Sequence, residues 1–76
     1  MTVVRTRFDV PEITCNHCKA SIEGALAPVT GISLAEVDVE KKVVTVNYEP
    51  SVLEPGSIVA VIEGQGYDVS RYEEVG

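Results

Sequence analysis

Hydrophobic and polar positions alternate from residue 4 to residue 10. Val4, Thr6, Phe8 and Val10 fall on one side, and Arg5, Arg7 and Asp9 on the other. This period of two predicts a half-buried strand, ended by Pro11, whose missing N–H cannot join a ladder. The period then lengthens. Cys18, Ile22, Ala25, Leu26 and Val29 recur at helical spacing, with Asn16 as candidate N-cap and Pro28 and Gly31 marking the exit. Cys18 therefore falls in the first helical turn and Cys15 just outside it. Alternation returns over residues 32–39, ISLAEVDV, with Ala35, Val37 and Val39 inward. It continues over VVTVNY, with Val44, Val46 and Tyr48 on one face, and Glu40, Lys41 and Lys42 form the turn between the two. Pro55 opens a second helix at a position where its N–H is not needed; Ile58, Val59 and Ile62 form its stripe, and Gly64 and Gly66 stop it. Residues 67–72, YDVSRY, read as the last strand, and Glu73 to Gly76 as a tail expected to fray.

The order strand, helix, strand, strand, helix, strand amounts to two split βαβ units. It predicts an α+β, ferredoxin-like βαββαβ sandwich: a four-stranded antiparallel sheet with two helices on one face and the first and third strands central. Following the strand directions, the loop over residues 12–17 and the loop over residues 64–67 meet at one end, so Tyr67 is expected beside the two cysteines. A chain of 76 residues is expected to form one domain, residues 1–76.

Composition narrows the partners. Hydrophobic residues make up 45% of the chain, too many for disorder. No apolar run suits a signal peptide or a membrane span, so the expected location is the cytoplasm, where thiols stay reduced. The net charge is −6 and the six basic residues are scattered, which argues against nucleic acid and anionic membranes; the plain reading of the acidity is solubility, and the more specific one is docking to a basic patch.

Cys15 and Cys18 are the only cysteines. A disulfide between them would close a ring too short to stabilise the fold. With one sulfur before a helix and the other in its first turn, both thiols meet at the helix's positive end, which favours thiolate. Thiolates select soft ions such as Cu(I) or zinc. Structural zinc wants four ligands, which here would require His17 and Glu12 to join the cysteines from one short loop. Cu(I) is satisfied by two sulfurs. Thioredoxin-type redox chemistry uses the same spacing, in a longer chain with a different strand order. The Cys-x-x-Cys pair alone does not decide among these.

Residues 10–18, VPEITCNHC, resemble the V-x-G-M-x-C-x-x-C motif of heavy-metal-associated domains, the family that includes the bacterial copper chaperones. The likeness continues through GISLAEVDVEKKVVTVNYEP and GQGYDV, about residues 4–69. The resemblance implies that Cys15 and Cys18 bind Cu(I). It also implies that the ion passes by thiolate exchange to the metal-binding domain of a copper-transporting P-type ATPase, without enzymatic turnover. Tyr67 matches the family's tyrosine flanking the metal. Two positions depart: Glu12 replaces a glycine and sets a negative charge beside the site, and Ile13 replaces a methionine that packs beneath the loop, a space Ile13 can fill. His17 is expected to be exposed in a monomer and to act as a ligand where a second copy shares copper in a bridged homodimer. Alternatives of the same fold are a detached N-terminal domain of a copper ATPase and a mercury or zinc carrier; from another class comes a thiol oxidoreductase. A chain running from Met1 to four residues past Tyr72 favours the free protein.

Overall fold

Each alternating stretch forms a strand and each helical stripe a helix in the computed structural model, which describes residues 2–75. The elements are β1 (Val4–Asp9), α1 (Asn16–Leu26), β2 (Ile32–Asp38), β3 (Val43–Tyr48), α2 (Pro55–Gly64) and β4 (Arg71–Glu74). The strands make one antiparallel sheet in the order β2-β3-β1-β4, with β1 and β3 central, as a ferredoxin-like fold requires.

The inward side chains of the sheet and the stripes of both helices share one core. Phe8, Val10, Val37, Val44, Val46 and Tyr48 face Cys18, Ile22, Leu26, Ile58 and Ile62. The helices therefore cover one face of the sheet, and the opposite face carries the polar partners of the alternation. Thr6, the buried polar residue among the described ones, has its hydroxyl 3.2 Å from that of Tyr48, so its burial leaves no hydrogen bond unmade. The Glu23 carboxylate of α1 accepts the Val37 N–H of edge strand β2 at 3.0 Å, which ties the helix to the sheet and occupies a donor that the edge would otherwise present. No described helix is long and apolar enough to cross a membrane.

Three expectations need correction. The N-cap of α1 is Cys15, not Asn16. Cys15 holds the extended backbone, and its carbonyl accepts the first helical bonds, from Cys18 and Lys19. The β2–β3 connection starts one residue earlier than expected. Val39 leaves the ladder, the Asp38 carboxylate accepts the Lys41 N–H at 3.0 Å, and Lys42 turns the chain at φ 59°. The last strand is not 67–72 but Arg71–Glu74. Its register on β1 sets Arg71 against Asp9, Tyr72 against Phe8 and Glu73 against Arg7. Opposite charges then pair at 3.0 and 3.1 Å on one face, and on the other the two rings stand 5.5 Å apart. That pairing keeps Glu73 and Glu74 in the sheet, and Val75 N–H still bonds the Arg5 carbonyl at 2.8 Å, where a frayed tail was expected. Gly76 lies outside the described residues. Residues 67–70 instead span from α2 to the sheet.

Candidate metal centre

The end of the molecule where β1 stops is built from three connections: the loop from β1 to α1, the β2–β3 turn and the loop from α2 to β4. The first carries the cysteines. Ile13 is fully buried beneath it, among the core side chains. Cys15 stands at the N-cap position and is exposed; Cys18, in the first turn, is buried at 7% exposure. Both are free thiols, with their sulfurs 3.9 Å apart.

The helix end at which they meet is electrostatically bare. No side chain caps it, and its first turn holds no acidic residue. Its amide dipoles therefore act on the sulfurs with no acidic side chain in the first turn to oppose them. Cys18 feels more than the helix. Donation from the Tyr67 phenol, and then from the Thr14 backbone, lowers its pKa to about 6 against the opposing effect of burial. The Thr14 hydroxyl lies 3.9 Å from the same sulfur. The Tyr67 hydroxyl is correspondingly pushed up, first by its bond to Cys18. Tyr67 is half-buried, brought to the cysteines by the left-handed turn at Gly66 (φ 92°) that ends α2. The placement traced from the strand directions is thus the one observed.

The other expected neighbours do not converge on the sulfurs. His17 is exposed on the first turn. The Glu12 carboxylate accepts the Asp68 N–H at 2.7 Å, joining the cysteine loop to the loop that carries Tyr67. Among the described residues, no three His, Cys, Asp or Glu side chains come together in a metal-holding group. The four-ligand zinc arrangement with His17 and Glu12 is therefore not assembled. Two metal–sulfur bonds of about 2.3 Å laid end to end span about 4.6 Å. At 3.9 Å the two sulfurs stand short of that span, and Cys15, being exposed, is the one with room to move outward.

Sequence reasoning missed two participants, Thr14 beside Cys18 and Lys42. The Lys42 ammonium donates to the Ile13 carbonyl at 3.0 Å. The signal was present: β3 runs antiparallel to β1, so the turn that begins it must lie at the end where β1 stops.

Residues 7–68 match the heavy-metal-associated domain family. A copper chaperone CopZ of Staphylococcus haemolyticus is 39% identical over 62 residues, covering 82% of this chain and 91% of that protein. Among solved structures, a CopZ metallochaperone aligns at TM-score 0.82 and 35% identity, over 86% of this chain and 97% of its own. The N-terminal domain of a potential copper-translocating P-type ATPase from Bacillus subtilis, in its Cu(I)-loaded state, aligns at TM-score 0.84 and 26% identity, over 90% and 85%. With the fold, the paired thiols and the match along most of its length in agreement, the chain belongs to the heavy-metal-associated domain family.

Proposed function

We propose that this protein is a cytoplasmic Cu(I) carrier that holds one ion between Cys15 and Cys18. It passes the ion to the metal-binding domain of a copper-transporting P-type ATPase. The observation that carries this reading is the donor set: two free thiols 3.9 Å apart at an uncapped helix N-terminus, with no third ligand converging among the described residues. Such a site is complete for Cu(I) and half complete for structural zinc. The chaperone names of the relatives and the Cu(I)-loaded ATPase domain of the same fold support the choice of metal and of partner.

Transfer follows from the unequal exposure of the two sulfurs. The copper–sulfur bond to exposed Cys15 is the one an incoming partner thiolate can approach and replace. The ion then passes through a three-sulfur stage, Cys15 leaves while Cys18 still holds it, and a second thiolate of the partner displaces Cys18 last. Similar sites on both domains make the exchange nearly isoenergetic, so docking governs its direction. Nothing is turned over; the metal is cargo. His17 is exposed, and on this reading it would serve as an additional ligand when a second copy shares copper in a bridged homodimer.

Competition against a chromophoric Cu(I) chelator tests the assignment. Wild type should retain one Cu(I) per chain, and Cys15→Ser and Cys18→Ser should each lose it. Retention by both serine variants would show that the site lies elsewhere.

A further inference from the structure

We propose that Lys42 is a positioning residue for the cysteine loop: reaching over from the β2–β3 turn, its ammonium holds the Ile13 carbonyl and so fixes the backbone from which Cys15 projects. The inference deepens the two-thiol reading above and rests on it.

Between β1 and α1 the chain has no regular structure of its own, so its shape depends on attachments. Ile13 is buried, and its N–H bonds the Val10 carbonyl at 3.1 Å. Lys42 grips this segment twice. Its main-chain carbonyl accepts the Val10 N–H at 2.9 Å, and its ammonium donates to the Ile13 carbonyl at 3.0 Å. From the other side, Glu12 accepts the Asp68 N–H at 2.7 Å. The loop is thereby strapped between the turn and the segment that brings Tyr67 to Cys18.

The backbone at Lys42 strengthens the case. Its φ of 59° lies in the left-handed region, where glycine suffers no steric penalty and other residues do. Turn geometry alone would favour glycine there. What a lysine supplies is the long stem and the charged donor, and the donor is engaged with the loop that bears the thiols. A bond from a charged donor is stronger than a neutral one. Losing it would leave the loop to sample arrangements in which the sulfurs are not poised together.

Two substitutions separate the strap from the backbone effect. Lys42→Gly removes the donor and relieves the left-handed residue. Lys42→Met removes the donor and keeps the side-chain bulk at the same φ. Amide hydrogen exchange of the metal-free variants reads the strap without any metal, because the protected Ile13 N–H reports opening of the loop. Both variants should exchange Ile13 about tenfold faster, with Val44 and Val46 in the sheet unchanged. Both should also give up Cu(I) to the chelator about tenfold more readily, the lower end of the ~10- to 100-fold effects typical of groups that orient metal ligands. Wild-type exchange and retention in both variants would overturn the proposal, as would an effect in Lys42→Gly alone or an equal loss of protection throughout the sheet. Cys15→Ser in the same competition keeps the two readings apart. If it still holds copper, the two-thiol site fails, while the metal-free exchange still judges the strap.

Discussion

Cys15 and Cys18 are three residues apart and chemically unequal. One thiol is exposed, as the proposed exchange requires; the other is buried, and its anion is stabilised by the Tyr67 phenol and the Thr14 backbone. Because its folded pKa, about 6, lies below the ordinary cysteine value, Cys18 stabilises the fold most fully above that ordinary value. The contribution is lost as pH falls through about 6. Metal retention should weaken over the same range, as protons begin to compete for the sulfur. Tyr67→Phe, made together with Cys15→Ser so that one thiol reports, should move the ultraviolet thiolate titration of Cys18 upward; an unmoved titration would remove Tyr67 from the account. The cysteines, Ile13 and Tyr67 were readable in the sequence because spacing, hydrophobic period and strand direction each have a signature there. The roles of Glu12 and Lys42 were not, because they depend on where long side chains end, and a carboxylate near two cysteines reads equally well as a ligand, a surface charge or a hydrogen-bond acceptor.

The strands with strict alternation formed within one residue of where the pattern put them, and the exceptions have physical causes. The segment YDV carries strand-like residues, yet Tyr67 and Val69 pack against the core without a ladder partner, and β4 takes the register in which its charges and its ring meet their complements on β1. A pattern of apolar and polar positions registers burial, and burial alone does not distinguish a paired strand from an extended crossing. Helix and strand ends follow backbone geometry more than residue type, which is why the cap fell on Cys15 rather than on Asn16. At the far end of the fold from the thiols, the α1–β2 connection depends on Gly31. It has φ 101°, its carbonyl accepts the Glu49 N–H, and an added Cβ would lie 3.0 Å from the Val52 side chain. Gly31→Ala should cost about 1–3 kcal/mol, the usual range for an L-residue forced into such a conformation. In a domain this small, thermal denaturation should register that as a drop of at least about 4 °C. Copper retention below the transition should not change, because the strained connection and the thiols lie at opposite ends.

Three connections from different parts of the chain gather at one end of the molecule, and the fold's contribution to function is that gathering. β1 delivers the thiols, the β2–β3 turn delivers Lys42 and α2 delivers Tyr67, while the sheet and helices behind them supply a core made, apart from Cys18, of aliphatic and aromatic side chains. Such an arrangement suits a carrier, which has to keep its fold both with and without its cargo. On the proposed reading the coordination number of the ion is set at this end of the molecule, where two sulfurs are close and, among the described residues, no third ligand side chain converges. X-ray absorption at the copper edge, on protein loaded with one Cu(I) per chain, reads that number. A two-thiol site gives a shell of two sulfurs that disappears in Cys15→Ser and Cys18→Ser; a shell of three or four donors at that loading, or a nitrogen from His17 within it, would contradict such a site.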